Sequence, residues 1–523
     1  MDHSGIEFSR RNLLIAAGLG SAALIASRSA SSATADTIEA PAPAAPVAGL
    51  HLQFGEDSTS EVIVSWHSLE PVTKPRVLLG LMNGSLQKTV DAAVRNYVDA
   101  KSSQTVYTYH AALTGLKAHT EYMYAAFQDG AEPQFGSFTT APQGRTPILF
   151  TSFGDQGTPT MGKQISNIGD TKLPNPIFVN DNLGSPAAAD STMGVEKLAP
   201  LFHLLNGDLC YANIAEDRVR TWWDFWENNS RSARNRPWMP AAGNHENEKG
   251  NGPIGYQAYQ TYFTLPRVDG QTDVTTGLWY AFTAGSMRVI SLANDDVCYQ
   301  DGGNTYVRGY SNGAQKAWLE KELTATRANK DIDWIVVCMH QVAISTADKF
   351  NGADLAIREE WLPLFDKYNV DLVVCGHEHH YERSHPIRGQ QTNKTLTPIP
   401  AGTATDVIDT TKGTVHMVIG GGGTSVPSNK LFYDPPQCRV ITGVDAFDPK
   451  INKRPPIYVL EDAPWMAVRN AAHAYGFAAF KLDPGKHPGD FTTIEVTYYD
   501  VKGPNGQLSP FEKFTLRRPR RDA

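Results

Sequence analysis

Five short polar segments, most of them directly after an apolar run, constrain this sequence more than any other feature. Each apolar run predicts a buried strand, and each polar segment carries oxygen or nitrogen side chains of the kind that bind metal ions. The carboxyl ends of parallel strands meet at one edge of a sheet, so we expect the segments to hold two neighbouring cations. The segments are 154–157 (Gly-Asp-Gln-Gly), 207–211 (Gly-Asp-Leu-Cys-Tyr), 243–246 (Gly-Asn-His-Glu), 337–340 (Val-Cys-Met-His) and 376–379 (Gly-His-Glu-His).

The order of the predicted elements after residue 145 indicates a layered α/β domain, which we assign to residues 146–519. Apolar strands alternate there with amphipathic helices, two of which are predicted over 314–328 and 354–368. Three long connections are rich in Gly, Pro and Asn, and we expect structured insertions there because free coils of this length are uncommon in a compact domain. They are residues 158–200, 384–412 and 424–472.

The preceding segment has a different pattern. Short β-rich runs separated by turn residues predict an all-β sandwich, similar to a fibronectin type III domain, over residues 47–142. Trp66 is the expected core tryptophan, and residues 116–122 are expected to form a tyrosine corner. No residues of this segment form a chemical constellation, so we expect a structural module or one wall of an active-site cleft.

The N-terminus has the features of an export signal. A twin-arginine element at 9–14 (Ser-Arg-Arg-Asn-Leu-Leu) is followed by an apolar stretch and by the small-residue cleavage site Ala-Thr-Ala at 33–35. The stretch is shorter than the ~20 residues that a spanning helix needs. We therefore predict a twin-arginine signal peptide over 1–35, a Pro/Ala linker over 36–46, and a periplasmic or secreted protein with no membrane partner after cleavage.

Charge and cysteine content exclude other classes. The chain has 55 acidic and 47 basic residues, a formal charge of −8, and no Lys/Arg-rich block before the short run at 517–521, so no nucleic-acid partner is expected. Five cysteines do not make a disulfide scaffold in a chain of 523 residues. If any pair is bridged, Cys298 and Cys438 are the candidates because both lie in polar, loop-like sequence. The oligomeric state is left open.

Together with Tyr-Glu-Arg at 381–383, the five segments resemble those of a purple acid phosphatase of the calcineurin-like metallophosphoesterase superfamily, over about residues 47–517. The resemblance implies an αββα-type catalytic sandwich after the fibronectin type III-like domain, and the twin-arginine element indicates that this member is bacterial and exported. Related phosphoesterases usually begin with Asp-x-His, whose His is a ligand. This chain has Gly157 at that position, and Tyr211 restores the number of ligands.

The implied ligands divide into two sets that share one carboxylate. Three anionic oxygens and one imidazole suit Fe(III), and a carboxylate, an amide oxygen and two imidazoles suit a divalent ion, Fe(II), Zn(II) or Mn(II). In a resembling protein the phenolate–Fe(III) pair produces the purple colour. The first set is Asp155, Asp208, Tyr211 and His379, and the second is Asp208, Asn244, His340 and His377.

This arrangement predicts hydrolysis of phosphate monoesters by in-line attack of a metal-bound hydroxide on phosphorus. His245 is expected to protonate the leaving alcohol, and the alternative role is a structural histidine that holds its turn. His380 is expected to point away from the metals. Residues 347–350 (Ala-Asp-Lys-Phe) lack the histidines with which many members of the family contact substrate.

The sequence leaves the natural substrate open. A phosphodiesterase or a phytase could use the same site, and a substrate panel separates them from a monoesterase. A different class is a non-catalytic binding protein with a vestigial metal domain. The complete set of seven ligands favours the enzyme.

Overall fold

The computed structural model describes residues 44–159, 183–300, 307–451, 453–503 and 505–522. The predicted signal peptide at 1–35 and most of the predicted linker at 36–46 lie outside these residues and stay predictions. None of the helices in the described ranges combines the length and the apolar content that crossing a bilayer requires.

The N-terminal part is the predicted all-β sandwich. It has two four-stranded antiparallel sheets, with the orders β1-β2-β6-β5 and β4-β3-β7-β8. The sequence patterns missed β1, β4 and β5; the last two are short and largely exposed. The strands are β1 (Ala48–Phe54), β2 (Val62–Ser68), β3 (Arg76–Leu81), β4 (Lys88–Asp91), β5 (Ala93–Val98), β6 (Thr105–Leu113), β7 (Glu121–Phe127) and β8 (Gln134–Thr139).

Two local predictions for this sandwich are confirmed. Trp66 is fully buried, and its Nε1–H donates to Oε1 of Gln128 at 2.9 Å. The backbone N–H of Lys117 donates to the hydroxyl of Tyr122 at 2.8 Å, which is the contact of a tyrosine corner. β8 ends at Thr139 and the next strand begins at Ile148, on either side of the predicted boundary.

The remaining strands build the layered α/β domain predicted over residues 146–519. The insertions at 384–412 and 424–472 contain strands, as expected. The strands are β9 (Ile148–Phe153), β10 (Phe202–Leu205), β11 (Trp238–Pro240), β12 (Tyr280–Ala284), β13 (Met287–Ser291), β14 (Trp334–Cys338), β15 (Ala353–Asp354), β16 (Leu372–Cys375), β17 (Tyr381–Ser384), β18 (Ile387–Gln390), β19 (Pro398–Pro400), β20 (Val407–Asp409), β21 (Val415–Ile419), β22 (Gln437–Val444), β23 (Pro456–Asp462), β24 (Met466–Arg469), β25 (Gly476–Asp483), β26 (Phe491–Val501) and β27 (Leu508–Pro519).

Two seven-stranded sheets pack face to face. Their orders are β11-β10-β9-β25-β26-β27-β20 and β12-β13-β14-β16-β21-β17-β24. Val336 joins the hydrophobic core between the sheets, whereas its neighbour Val337 joins the core beneath the helices. A strand covered on both faces is apolar throughout, which explains the continuous apolar runs in the sequence. The Nε1–H of Trp334 crosses between the sheets to Oγ1 of Thr492 at 2.9 Å.

Helices cover the outer faces and complete the predicted layered α/β class. One prediction was wrong in detail: the helix expected over 354–368 is broken at Trp361. Pro363 lacks the N–H that would continue the hydrogen bonding, so it begins a second helix instead. The described helices are α1 (Ala187–Leu198), α2 (Arg218–Ala233), α3 (Gln257–Tyr262), α4 (Ala314–Ala328), α5 (Leu355–Glu360) and α6 (Leu362–Tyr368).

Arg518 of the C-terminal basic run, and the two cysteines expected in loops, are buried in the structure. Arg518 donates two hydrogen bonds, of 2.6 and 2.8 Å, to the buried carboxylate of Asp371. The loop position predicted for Cys438 was wrong, because this residue lies on β22, whereas Cys298 lies in a loop as predicted. Both residues are fully buried. Both thiols are free, so they do not form the one bridge that the sequence left open.

Candidate metal centre

Five of the seven predicted ligands follow directly after parallel strands. β9, β10 and β11 are mutually parallel, and β14 is parallel to β16. Because the two sheets are stacked, the carboxyl ends of both sets reach one edge of the sandwich. The ligands after these strands are Asp155 (β9), Asp208 (β10), Asn244 (β11), His340 (β14) and His377 (β16).

Four of the predicted ligands have left-handed backbone conformations. An L-residue pays roughly 1–2 kcal/mol for this conformation, which is rare outside glycine. Such strain concentrates at functional sites, where the surrounding packing holds it. The residues and φ angles are Asp155 (56°), Asp208 (50°), Tyr211 (59°) and His377 (69°).

Asp155, Tyr211 and His379 form one compact cluster. The hydroxyl of Tyr211 lies 3.2 Å from Oδ1 of Asp155 and 3.1 Å from Nε2 of His379. The third side of the triangle, from His379 Nε2 to Asp155 Oδ1, is 3.2 Å. Donor atoms about 2.1 Å from a shared cation are separated by roughly this distance. The geometry therefore fits three ligands of one ion.

Asp208, Asn244, His340 and His377 form the second cluster, around Nε2 of His340. This nitrogen is 3.1 Å from Oδ2 of Asp208, 3.1 Å from Oδ1 of Asn244 and 3.2 Å from Nδ1 of His377. The donor atoms of Asp208, His340 and His377 all lie within 4.8 Å of one another. Asp208, predicted to bridge, belongs to this cluster.

The outer partners of the histidines fix which ring nitrogen faces the site. Each imidazole has one nitrogen beside an oxygen that can only accept, so that nitrogen carries the proton. The other nitrogen then directs a lone pair into the site. The three hydrogen bonds are His340 Nδ1–H to the carbonyl of Asn206 (2.7 Å), His379 Nδ1–H to the carbonyl of Val426 (2.6 Å) and His377 Nε2–H to Oε1 of Gln300 (2.7 Å).

Lone pairs facing each other at about 3 Å repel unless a cation or a proton lies between them. In the second cluster Nε2 of His340 and Nδ1 of His377 meet in this way. Burial alone lowers the pKa of His340, but the Asp208 carboxylate reverses this and raises the pKa to about 10. The cluster thus demands positive charge, and a metal ion would take the place of that proton.

Tyr211 places a similar demand on the first cluster. Burial, then the carboxylates of Asp155 and Asp208, raise the pKa of its phenol well above the usual value. A phenolate therefore exists here only beside a strong cation, which fits the trivalent ion expected from the sequence. The donor sets of both clusters fit a pair of metal ions.

Four of the five motifs begin with a glycine, and the two clearest of these glycines allow ligands to approach the backbone. A Cβ on Gly207 would lie 2.6 Å from the ring of His340. One on Gly376 would lie 2.3 Å from Oδ2 of Asp155. The Gly420–Gly423 run behaves likewise, since a Cβ on Gly420 would meet the carbonyl of Glu378 at 2.1 Å, so the close backbone approach expected there is confirmed.

His245, the predicted catalytic residue, borders both clusters. Its backbone N–H donates to Oδ1 of Asp208 at 2.9 Å, and its Nε2 lies 4.0 Å from Oδ2 of the same carboxylate. Its ring meets that of Tyr211 at a centroid distance of 4.7 Å. With a side chain 23% exposed, it is more accessible than the neighbouring ligands His340 and His379.

Asn213 and Glu246 orient the site, and the sequence motifs predicted no role for either residue. Oδ1 of Asn213 lies 2.8 Å from Nδ1 of His245 and accepts its proton. The buried carboxylate of Glu246 accepts backbone N–H bonds from Asp208 (2.9 Å), Leu209 (2.8 Å) and Gly243 (2.7 Å). Burial and the nearby Asp208 raise the pKa of Glu246 to about 8. Glu246 joins two ligand loops, and its place in the 243–246 motif was the available signal.

Other positions singled out in the sequence lie outside the clusters. His380 bonds Oγ of Ser428 (2.8 Å) and Oε2 of Glu382 (3.2 Å), so it points away as expected. The side chain of Lys349 is 85% exposed, whereas Phe350 packs its ring 4.9 Å from that of His379.

Comparison with known proteins gives the family of this chain. The family model for the purple acid phosphatase N-terminal domain matches residues 47–140, and that for calcineurin-like phosphoesterase matches residues 177–381. The chain belongs to the calcineurin-like phosphoesterases of the purple acid phosphatase type. This membership confirms the resemblance and identifies a dimetal phosphoesterase.

Relatives and solved structures agree with this family. An uncharacterized protein of Mycobacterium tuberculosis is 60% identical over 477 residues, covering 91% of this chain and 88% of its own. A purple acid phosphatase of Glycine max is 26% identical over 382 residues and covers 72% of each chain. The structure of purple acid phosphatase PPD1 from yellow lupin (Lupinus luteus) seeds matches with a TM-score of 0.63 and 18% identity, covering 91% of this chain and 75% of that one. This likeness confirms the fold, an all-β domain before a layered phosphoesterase sandwich.

Proposed function

We propose that this phosphoesterase is an exported purple acid phosphatase that hydrolyses phosphate monoesters by in-line displacement at phosphorus. The observation that carries the proposal is the meeting of imidazole lone pairs, carboxylates and a phenol in two buried clusters. A plant relative named Fe(3+)-Zn(2+) purple acid phosphatase 12 (Arabidopsis thaliana), 26% identical over 388 residues, supports the metal pair. The twin-arginine element supports periplasmic or secreted location.

Asp155, Tyr211 and His379 would hold Fe(III), with Asp208 as the bridge. Asn244, His340 and His377 would complete the divalent site, taken by Zn(II), Fe(II) or Mn(II). Once bound, the two ions supply an activated water at low pH and neutralise the charge that develops on the phosphoryl oxygens. The side chains around them supply orientation. No acid or base on the protein needs to form a covalent bond to phosphorus.

His245 serves the leaving group. Asn213 holds the proton on Nδ1, so Nε2 is the nitrogen turned toward the clusters and the solvent-accessible side. In its protonated form Nε2–H donates to the leaving alkoxide, a contribution of about 10²–10⁴-fold in rate. The neutral amide of Asn213 orients the ring without adding negative charge. Glu246 keeps the Asp208 and Asn244 loops in register.

Elemental analysis combined with a visible spectrum tests the metal assignment, since it reports metal number, identity and the tyrosinate bond together. The purified protein is then assayed against a monoester, a diester and an inositol phosphate. A dominant diester or inositol-phosphate activity would replace the monoesterase by a phosphodiesterase or a phytase. Metal-loaded protein that hydrolyses none of them at any pH would be a binding protein.

His245→Ala tests the proton donor. We expect a larger loss of kcat with phenyl phosphate, a poor leaving group, than with 4-nitrophenyl phosphate, whose anion leaves without a proton. His487→Ala, on an exposed turn, is the matched control and should change neither rate. Equal losses on both esters for His245→Ala would remove the proton-donor role and leave the structural alternative.

A further inference from the structure

Several large apolar residues border the candidate metal centre without being buried in the core. Ile214, Val426 and Leu431 are 45%, 41% and 38% exposed, and Phe350 is partly buried. Exposed apolar residues scattered singly are ordinary, but a group of them around one opening indicates a binding surface. We define these four residues, Ile214, Phe350, Val426 and Leu431, as the apolar rim.

Two residues of the apolar rim lie directly against His379, a predicted metal ligand. The carbonyl of Val426 accepts the Nδ1–H of His379 at 2.6 Å, and the ring of Phe350 lies 4.9 Å from the same imidazole. A substrate reaches the buried clusters from solvent, so exposed side chains beside the ligands are among the first groups that it meets.

Leu431 belongs to the same side of the centre. The N–H of Asp348 donates to the carbonyl of Leu431, and Ala347 pairs with Phe432 in an antiparallel bridge. These contacts join the two chain segments that carry the rim residues next to His379. The two segments therefore form one wall, and its apolar side chains are neighbours in space although they are distant in sequence.

Ile214 lies on the side of the proposed proton donor. It follows Asn213, whose Oδ1 accepts the Nδ1–H of His245 at 2.8 Å, and its own N–H donates to the carbonyl of Tyr211 at 3.3 Å. Tyr211 connects the two sides, because its ring lies 4.7 Å from that of His245 and its hydroxyl lies 3.1 Å from Nε2 of His379. The apolar rim thus extends to the place where the leaving alcohol receives its proton.

The walls that carry the apolar rim contain little free charge. Residues 424–429 (Thr-Ser-Val-Pro-Ser-Asn) have no charged side chain. Nζ of Lys349 lies 4.0 Å from the carboxylate of Asp348, and Nζ of Lys430 donates to the carbonyl of Ala471 at 2.7 Å. Hydroxyl groups of a sugar would lose hydrogen bonds to water against such a surface, which costs free energy. An apolar group gains free energy by leaving water there.

We propose that the apolar rim binds the alcohol part of the substrate and that the preferred substrates are phosphate monoesters of apolar alcohols. The phosphoryl group would face the two clusters, and the apolar group would lie against the rim. This inference rests on the proposed function and names the substrate class that the sequence leaves open.

Binding of alkylphosphonates to the metal-loaded protein tests the inference, because a phosphonate has no ester bond to hydrolyse. Calorimetry compares methylphosphonate with hexylphosphonate. Each methylene group that leaves water tightens binding about fourfold, so hexylphosphonate should bind about tenfold more tightly or better. Ile214→Ser with Leu431→Ser removes two apolar side chains of the rim and should reduce this preference about fivefold.

Leu69→Ser with Leu81→Ser is the matched control. These leucines are 43% and 41% exposed, as are the substituted rim residues to a similar degree, but they belong to the N-terminal sandwich. The control should keep the full preference for hexylphosphonate. Tryptophan fluorescence checks the folding of every variant without relying on catalysis.

Hydrolysis gives a second readout. Hexyl phosphate and glucose 6-phosphate are both esters of primary alcohols, so their reactivity is alike and kcat/KM should be higher for hexyl phosphate because of the rim. Equal affinities for the two phosphonates, or a preference that survives Ile214→Ser with Leu431→Ser, would overturn the inference and leave the proposed function standing. A metal-loaded protein that binds neither phosphonate and hydrolyses no phosphate ester would overturn both.

Discussion

Acid should destabilise this fold through histidines that are buried without partners, and His416 on β21 is the clearest example. Neither ring nitrogen of His416 has a hydrogen-bond partner among the described residues, and the residue is 1% exposed. Burial, followed by the charge of Arg358, lowers the pKa of its imidazole from 6.5 to about 3. The perturbation we consider is a change from pH 7 to pH 5 in the unchanged protein and in a His416→Leu variant.

The sign and size follow from proton linkage. Below pH 6.5 the unfolded chain binds a proton at this histidine that the folded protein does not take up until about pH 3. The free energy of unfolding is therefore fully supported above pH 6.5 and falls as the pH drops through this window. Between pH 7 and pH 5 the loss from one such group is about 2 kcal/mol. Leucine does not titrate, so the variant avoids this loss.

Urea unfolding followed by tryptophan fluorescence measures the effect. The quantity compared is the change in unfolding free energy between pH 7 and pH 5, so a constant packing difference between His416 and leucine cancels. We expect this change to be about 2 kcal/mol smaller in His416→Leu. The exposed His487→Leu is the matched control. A variant whose pH dependence equals that of the unchanged protein would refute the reasoning that His416 is held neutral.

Three further predictions address the metal centre. Tyr211→Phe should abolish the visible absorption band of the metal-loaded protein because the phenolate is removed, and a purple band that persists would contradict this ligand. Glu246→Gln places an amide N–H₂ where a side-chain oxygen now accepts backbone N–H bonds. The affinity for metal, measured by competition with a chelator, should therefore fall about 10–100-fold. The exposed Glu56→Gln is the control and should leave this affinity unchanged. Gly157→Ala should lower the free energy of unfolding more than Gly115→Ala does. Both glycines have positive φ, but a Cβ at 157 would lie 2.6 Å from Gly184, whereas a Cβ at 115 would have no atom within 4 Å. Equal losses of unfolding free energy would count against the contact.

Much of the fold could be predicted because its strands are buried on both faces. Apolar runs at 148–153 and 334–338 leave few alternatives, and the polar residues after them lie at the sheet edge by topology. The exposed strands β4 and β5 carry no such pattern, so their pairing depends on neighbours that the local sequence does not specify. The break at Trp361 shows the limit of periodicity, since the apolar spacing continues through it.

The candidate site, like the fold, could be predicted from the sequence only in part. The seven side chains that meet in it were recognisable from motifs, but their orienting partners were not. Gln300 is 77 residues from His377, and Val426 is 47 residues from His379. The carbonyl of Val426 has no side-chain signature at all. Such partners are set by how distant loops pack, which no short window of sequence encodes.

The close packing at Gly157 restricts how this centre could change. Its Cα faces the backbone of Gly184, 2.6 Å from where a first side-chain carbon would stand. Replacing Gly157 by histidine would therefore require the backbone of residues 183–185 to move. Directed evolution of a histidine ligand at position 157 would need that backbone shift first, so the neighbouring 183–185 loop restricts which ligands the proposed centre can recruit.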